Sequence, residues 1–449
     1  MNELLLYSSI IIGIFASVAA LARKGVLVIL LLAYGVMPIR VWTDISVPIP
    51  GLGYLLLDSL LGLYFIFLLL LRILLIRKAS IETSGYISYT LIFIAMASIS
   101  AFFVGITGEA AGFKMLIRLI YPVFIYFYIM HEYATADEGI KVINKFLTIG
   151  IIVSIAVFAA NILGISSWRW SAGVDRFSGL GSISDYSYLM STLLVFSYIK
   201  FRTTKNKLLY VTLMVIFGLQ LLLTVTRGGI FSSIIAMLTI ELFGNWKSIS
   251  ARIAMIIILV GITISAITLY QPLSDRIFAR HYADVSRSSI SLTEEFSASF
   301  KKSGREGLWA YVFEKINSSY HPIIGYGVGK GEIDITRDAG GVPHNEYIRI
   351  LYEMGYPGLI LFLLMLYQYW NISKRCLLFK SNNNRQIALA SIGMIAIYAS
   401  GAVVDNMINK YKNMGAPLII LVAFSIIANR QSKRELLAQS RSNKIYYEN

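Results

Sequence analysis

A histidine and an asparagine stand where a long polar segment meets an apolar run. His344 and Asn345 follow a polar stretch, roughly 273–343, and precede an apolar stretch at about 346–371. A helix that begins at 344–346 would turn its free N–H groups and positive dipole end towards the polar side, which suits a phosphate. A histidine there can take a proton from a hydroxyl or donate to a phosphate oxygen, and the asparagine amide can orient a substrate. The junction therefore predicts an active site at a membrane surface.

Arginines gather on the same side of the predicted membrane, against the usual cytoplasmic bias of positive charge. They are Arg118, Arg176, Arg227, Arg276, Arg280, Arg287, Arg305, Arg337 and Arg349. Guanidinium groups bind phosphate with two hydrogen bonds and keep their charge at any pH. As a set they predict an anionic substrate at the outer leaflet.

A structural alternative exists for each of these arginines. Arg118 and Arg349 can extend along the helix surface to lipid headgroups, and Arg176 can pair with the neighbouring Asp175. Arg227 is the sharpest candidate, because Thr226-Arg227-Gly228-Gly229 separates two apolar runs and no acidic residue lies near it in the sequence. Its alternative is a structural arginine that donates to backbone carbonyls.

The composition is that of a polytopic membrane protein. Of the 449 residues 57% are hydrophobic and 14% are charged, the net charge is +15 and the mean hydropathy is +0.68. The single cysteine excludes a disulfide framework. Apolar runs predict about thirteen spans, near 4–21, 26–41, 54–76, 85–107, 114–131, 140–164, 185–200, 208–225, 228–244, 253–271, 346–371, 386–404 and 414–429. Lysine and arginine in the alternate loops place the C-terminus in the cytoplasm.

The predicted organisation has four parts. Residues 1–272 hold spans one to ten, 273–343 form a large outer loop, 344–430 hold the last three spans, and 431–449 form a cytoplasmic tail. A loop of that length without function is rare. Its second half predicts a helix from Gly304 to Ile316, with Leu308, Val312 and Ile316 on one face.

Metal and nucleotide chemistry are not favoured. The four histidines are scattered and lack the spacing of metal ligands. The glycines at 325–329 do not follow the dinucleotide or P-loop spacing. We therefore predict no metal, no other cofactor and no nucleic-acid partner.

The ordered motifs resemble those of the O-antigen ligase and polymerase superfamily. His344-Asn345 with Gly355 and Gly358 is similar to its histidine signature, and Thr226-Arg227-Gly228-Gly229 to its arginine at a helix break. Arg176-Phe177-Ser178-Gly179 and the run from Ser303-Gly304-Arg305 to Gly327 fall in the same order. The resemblance covers roughly 170–370.

The resemblance implies an all-α, metal-independent glycosyltransferase of the GT-C type in the bacterial inner membrane. Its active site would face the periplasm and take a glycan from an undecaprenyl diphosphate carrier. His344, Arg227 and Arg305 would be catalytic, as base or phosphate contact and as diphosphate ligands. The substrate contacts would be Arg176, Asn345, Arg280, Arg287, Arg118 and Arg349. Membrane lipids and a chain-length regulator are the further expected partners.

Three functions remain open at the level of sequence. A polymerase, which we favour, would add the glycan to another lipid-linked repeat unit, and a ligase would add it to the lipid A core. A transporter of lipid-linked sugars is the alternative from another class, and would show broken helices and charges at the middle of the membrane.

Overall fold

The computed structural model describes most of the chain after residue 52. The described residues are 27, 30, 31, 34, 46–49, 53–76, 85–104, 110–163, 168–171, 174–178, 182–244, 248–277, 305–318, 321–339, 343–379 and 381–448, some by their backbone alone.

Helices dominate the part that precedes the long loop. The elements are β1 (Ser46–Ile49), β2 (Gly53–Leu56), α1 (Leu57–Ile76), α2 (Ser88–Val104), α3 (Ala110–Glu132), α4 (Ala136–Ile162), β3 (Trp168–Ser171), β4 (Val174–Phe177), α5 (Ile183–Thr203), α6 (Lys207–Leu223), α7 (Arg227–Phe243), α8 (Ile249–Leu269) and α9 (Gln271–Ile277).

Three shorter helices come before the final spans. The elements are α10 (Arg305–Asn317), α11 (His321–Ile324), α12 (Lys330–Ala339), α13 (Glu346–Cys376), α14 (Asn382–Ala402), a 3-10 turn (Met407–Lys410), a π-helical turn (Tyr411–Gly415) and α15 (Ala416–Glu448). The last helix runs on through 431–448, so the predicted tail continues the final span as helix.

The predicted spans from 54–76 onwards each fall on a helix, whereas the predicted span at 4–21 lies outside the described residues. Six of the described helices are long and apolar enough to cross a membrane. They are Gly85–Phe102, Gly112–Glu132, Ala136–Ile162, Ile249–Leu269, Glu346–Cys376 and Met407–Ser440. The protein is thus an all-α membrane protein, but the predicted count of about thirteen spans is not confirmed.

Helix α5 lies at the centre of the bundle and is buried on every side from Tyr186 to Lys200. Hydroxyl side chains along it donate back to carbonyls one turn earlier, as Ser191 does to Ser187 and Ser197 to Leu193, each at 2.8 Å. These bonds satisfy the hydroxyls inside the helix itself. Small residues then let α7 approach closely, since the Ser191 hydroxyl also donates to the Gly229 carbonyl at 2.8 Å.

Two short antiparallel hairpins interrupt the helical pattern. Strand β1 pairs with β2, and β3 pairs with β4 so that Arg169 stands opposite Arg176. The segment that carries Arg176 is thus partly a strand. The hairpin supplies the segment with backbone partners that a loop would take from water.

Helix α13 contains a sharp kink at Gly355, whose φ is +66°. Pro357 has no N–H, so the carbonyl of Glu353 loses its partner within the helix. That carbonyl instead accepts from the Gly327 amide at 3.0 Å and from the Ser100 hydroxyl at 3.2 Å. The kink therefore divides α13 into an upper part, 346–355, and a lower part, 357–376.

The helices of the outer loop pack on the upper part of α13. Leu308, Val312 and Ile316 of α10 are buried against Leu351 and Tyr352 of α13. The helix predicted from Gly304 to Ile316 and its apolar face are both confirmed, with helix bounds of Arg305–Asn317. Trp309 packs at the edge of this small core, and its indole N–H donates to the Pro343 carbonyl at 3.3 Å. The loop helices therefore support the segment that holds His344.

Candidate active site at the His344 end of the bundle

Helices α5, α7 and α13 all begin at one end of the bundle, which we call the His344 end. Ion pairs between Arg72 and Glu132, at 2.6 Å, and between Arg202 and Glu241, at 2.8 Å, lie at the opposite end. Almost every described residue that the sequence predicted for the site belongs to the His344 end. Three turns of the backbone form the candidate site at this end. They are the turn before α7, the turn before α13 and the turn after α14.

The first turn joins α6 to α7 and carries Arg227. Val225 has a φ of +48°, which a β-branched residue rarely adopts. Thr226 then precedes α7 without capping it by its side chain. The amides of Gly228 and Gly229 therefore have no acceptor within the helix. A strained backbone that exposes a helix N-terminus beside an arginine is a suitable place for an anion.

Arg176 reaches the same turn from strand β4. Its Nε donates to the Thr224 carbonyl at 3.0 Å and its Nη2 to the Thr226 hydroxyl at 2.7 Å, so the buried side chain is bonded to neutral oxygens. Burial lowers the pKa of Arg176 to about 10, and the nearby charge of Arg227 contributes in the same direction. The two guanidinium groups therefore repel each other, and an anion placed between them would be stabilised by both.

Glycines bring the Arg227 turn against the start of α5 and the end of α14. A Cβ on Gly228 would lie 2.8 Å from the Tyr188 hydroxyl and 2.9 Å from a methyl group of Val404. A Cβ on Gly229 would lie 2.8 Å from the Ser187 hydroxyl. Only glycine fits such contacts. The chain segment that follows Val404 carries the acidic partner of His344.

His344 itself stands on the second strained turn. Its φ of +42° makes it, with Val225, one of the two non-glycine residues with positive φ in the described part of the chain. Its side chain is 52% exposed, and its Nδ1 lies 3.9 Å from Oδ1 of Asp405. Helix α13 begins at Glu346, as the sequence predicted. The histidine is thus held at a helix start, open to solvent, with a carboxylate on one side of its ring.

Asp405 belongs to a network of charges between α5 and the 3-10 turn. It accepts from the Ser184 hydroxyl and from the Asn406 amide, each at 2.8 Å. The Nζ of Lys410 lies 3.4 Å from Asp405 and 2.9 Å from Asp185. Burial alone would raise the pKa of Asp405, but the charge of Lys410 and these hydrogen bonds hold it well below the usual value. The carboxylate beside His344 is therefore ionised at neutral pH.

Arg349 and Arg118, both predicted to bind substrate, meet at one asparagine. Nη1 of Arg349 donates to Oδ1 of Asn409 at 2.9 Å, and Nη1 of Arg118 donates to the same oxygen at 2.6 Å. Arg349 is also paired with Glu346, and its side chain is 1% exposed. The prediction that Arg349 binds substrate stays a prediction, and the structure gives this arginine a structural role. It lies inside the protein in an ion pair whose three-residue spacing along α13 could have been read from the sequence.

Glu346 links this ion pair to the turn after α14. One of its oxygens accepts from Arg349 and the other accepts from the Ile408 amide at 2.8 Å. Arg118 is partly exposed, and its Nε has no hydrogen-bond partner among the described residues. Arg118 thus remains a candidate for binding, while Arg349 and Glu346 fix the start of α13.

Asn345 caps α13 in place of presenting its amide to the surface. Its Oδ1 accepts from the Ile348 amide at 3.1 Å, and the side chain is buried. A cap of this kind satisfies one of the free N–H groups of the first turn. Asn345 is thus a helix cap that positions its neighbour His344, and its role in orienting a substrate stays a prediction.

The remaining predicted arginines lie largely beyond what is described. Arg280 and Arg287 lie outside the described residues, and the side chain of Arg305 does too, although its backbone begins α10. Their roles at the site stay predictions.

An apolar groove of about 410 Å³ runs along the bundle from Arg227. Its walls include Leu194 of α5, Met214 of α6, Phe231 of α7 and Ile262 of α8. Residues on its rim, such as Ile262, are exposed on the face that would meet lipid. The groove thus offers an apolar chain a path from the bilayer to a cationic turn.

The sequence missed Ser184, Asp185, Asp405 and Lys410. The available signal was the polar segment from Asp405 to Asn413 between two apolar spans, where two lysines stand on the side opposite to the usual positive bias. The partner of Lys410 on α5 is 225 residues away and could not be paired with it from a single sequence.

Residues 212–363 match the family model of O-antigen ligase. The match covers about a third of the chain and supports the O-antigen polymerase and ligase superfamily. No curated protein matches the chain.

The matched residues include only part of the candidate site. Arg227, His344 and the kink at Gly355 lie within 212–363, whereas Arg176 precedes the match and Asp405 follows it. The match supports a function of the ligase or polymerase type.

Proposed function

We propose that the protein is an O-antigen or related surface-polysaccharide polymerase of the inner membrane. It transfers a glycan from undecaprenyl diphosphate to a hydroxyl of another lipid-linked repeat unit at the periplasmic face. The observation that carries the proposal is the pair Arg176 and Arg227. Arg176 donates to the turn that carries Arg227, the two charges interact, and Arg227 stands at an uncapped helix start and lines an apolar groove. This suits a diphosphate with an apolar tail.

The leaving group requires charge stabilisation and little acid help. When the bond between the anomeric carbon and the diphosphate oxygen breaks, negative charge develops on the diphosphate. In this proposal Arg227, the amides at the start of α7 and the Arg176 guanidinium surround that position, and preorganised donors of this kind lower the barrier without reorganisation. The tail of the carrier lies in the groove, so the diphosphate is held at the bundle end.

His344 acts as the base for the acceptor hydroxyl. Asp405 lies on the Nδ1 side of the ring, so Nδ1 carries the proton and Nε2 is left to accept one. The acceptor oxygen attacks the anomeric carbon, its proton passes to Nε2, and undecaprenyl diphosphate leaves with the bonding electrons. The 3.9 Å contact between His344 and Asp405 is longer than a hydrogen bond, as is common before substrate orders a catalytic ring.

The ligase is the second candidate, because the matched family is that of O-antigen ligases. The two functions share donor, base and leaving group, and they differ only in the acceptor. The acceptor side of the site faces the outer loop, most of whose first half lies outside the described residues. The polymerase and the ligase are therefore distinguished by the product that each would form.

The deciding experiment is the lipopolysaccharide ladder of a deletion strain complemented with wild type or with His344→Ala. A core with a single repeat in the deletion strain indicates a polymerase, and polymer left on the carrier lipid indicates a ligase. We expect His344→Ala to lower turnover by about 10²–10⁴-fold, the usual effect of losing a general base. His131→Ala, at the opposite end of the bundle, is the matched control and should give a normal ladder.

A normal ladder from His344→Ala, with the protein present in the membrane, would refute the role of this base. Purified protein should also form a glycosidic bond on lipid-linked substrate without any ion gradient. Absence of a new glycosidic bond, together with movement of the substrate between leaflets, would favour the transporter.

A further inference from the structure

The one-turn helix α11 presents two large apolar side chains to the outside. Ile323 is 68% exposed and Ile324 is 52% exposed. They belong to the outer loop, whose other described apolar residues mostly pack on α13. Exposing two adjacent isoleucines to water costs free energy. Their role therefore depends on whether water or lipid surrounds them at this point of the fold.

Helix α11 is fixed to α13 at the kink. A Cβ on Gly355 would lie 2.4 Å from the Pro322 carbonyl oxygen, so the two backbones are in direct contact. Just after α11, the Tyr326 amide donates to the Tyr352 carbonyl at 2.8 Å. The height of α11 along the bundle is therefore that of Gly355.

A stripe of exposed apolar side chains on α13 begins beside α11, just below the kink. Tyr356, Ile360, Leu363 and Tyr367 are all exposed and recur every three or four residues. That period places them on one face of the helix. Because α13 is among the helices able to cross a membrane, this face meets lipid, and α11 lies at its upper end.

The length of α13 below the kink fixes where the membrane ends. From Pro357 to Cys376 the helix has about 20 residues, or roughly 30 Å at 1.5 Å per residue. That is about the thickness of the hydrocarbon core of a bilayer. The kink and α11 thus lie at the boundary of the hydrocarbon core, and the buried charges of Glu346 and Arg349 lie above it.

We propose that α11 is a membrane anchor. Ile323 and Ile324 insert among the acyl chains and headgroups of the leaflet at the His344 end, and they hold the outer-loop helices on the bilayer surface. His344 stands about 11 residues above Gly355, or roughly 15 Å along the helix. This exceeds the headgroup layer, which is about 5–8 Å thick on each side.

The anchor therefore sets the height of the histidine above the lipid. The insertion of α11 into the membrane follows from the fold and does not depend on the proposed function. Its consequence for catalysis rests on the proposed function, in which the base has to meet a sugar that begins just beyond a diphosphate at headgroup level.

The test measures contact with lipid at single cysteines. Cys376 is first replaced by serine, which can keep the hydrogen bond that the thiol makes to the Asn384 carbonyl. Ile323→Cys or Ile324→Cys is then labelled with a fluorophore in phospholipid vesicles that contain lipids with a nitroxide on the upper acyl chain. Ile360→Cys, on the lipid face of α13, is the positive control.

Glu314→Cys is the matched control in the same loop, because Glu314 is exposed on α10. We expect the label at Ile323 or Ile324 to be quenched by the nitroxide lipids as strongly as at Ile360, and to be protected from aqueous iodide. The label at Glu314 should show the reverse.

Two results would overturn the anchor. Strong iodide quenching at both isoleucines, equal to that at Glu314, would place α11 in water. Protection from both quenchers would mean that protein, such as a second copy of the chain, covers it. Because the vesicles contain no substrate, either result leaves the proposed reaction to be judged by its own assay.

Discussion

Replacing Lys410 with methionine removes the one cation between two carboxylates. The Nζ of Lys410 lies 2.9 Å from Asp185 and 3.4 Å from Asp405, and the lysine side chain is 10% exposed. Breaking a buried ion pair by removing one partner costs about 3–5 kcal/mol, because a charge is left uncompensated. The two aspartates keep some exposure, about a fifth of each side chain. We therefore expect a loss near the lower end, about 3 kcal/mol of unfolding free energy.

The measurement is a denaturant titration of the purified protein in mixed micelles, followed by tryptophan fluorescence. Lys410→Arg keeps the charge and is the control. The double variant Lys410→Met with Asp185→Asn removes one of the two carboxylates, so we expect it to recover about 1–2 kcal/mol relative to Lys410→Met.

The effect of Lys410→Met should also depend on pH. Two close carboxylates without a cation bind a proton more readily, so the loss should be smaller at pH 5 than at pH 8. A single variant within about 0.5 kcal/mol of wild type would refute the reasoning, since it would mean that the network is solvated. A double variant that is less stable than Lys410→Met would also refute the reasoning.

Three further predictions concern the kink, the acid partner and the anion site. Gly355→Ala would place a Cβ 2.4 Å from the Pro322 carbonyl oxygen at a φ of +66°. We expect it to cost roughly 1–3 kcal/mol in the same titration, and unchanged stability would contradict the contact. The depressed pKa of Asp405 contributes stability that is fully present above about pH 4 and is lost as the pH falls. Asp405→Asn should flatten this part of the curve of stability against pH, and an unchanged curve would assign it to other groups. Arg176→Lys loses a side chain that donates two hydrogen bonds, so we expect its turnover to fall about tenfold or more. Arg176→Gln also loses the charge, and its turnover should fall further. Equal turnover of the two variants would show that the charge has no role.

The elements of the site were predictable where the signal is local. The abrupt change from polar to apolar sequence fixed the start of α13 beside His344, and a polar Thr226-Arg227 between apolar runs marked a helix break. The spacing of Leu308, Val312 and Ile316 marked the helix of the outer loop. Each of these signals lies within a few turns of chain.

The partners of the site were not predictable, because they come from distant parts of the chain. Asp405 is 61 positions beyond His344, and Asp185 is 225 positions before Lys410. Arg349 was assigned to substrate since nothing local showed that Asn409 and the turn after α14 would enclose it. Pairing over such distances depends on helix packing, which a hydropathy pattern leaves open.

The enclosure of α5 has a consequence for how the chain enters the bilayer. This helix carries Asp185, Lys200 and Arg202, and it is not among the helices apolar enough to cross a membrane on their own. Its charges lie in its first and last turns, and its middle carries the hydroxyls of Ser191, Thr192 and Ser197, so α5 on its own has little apolar surface to hold it in the membrane. We expect it to insert together with α6 as a hairpin, and to be retained once α7 and α14 cover its polar face. The helix that holds the acidic end of the site therefore depends on α14, which is synthesised much later, and defects in α5 should lower the amount of protein in the membrane before they lower its activity.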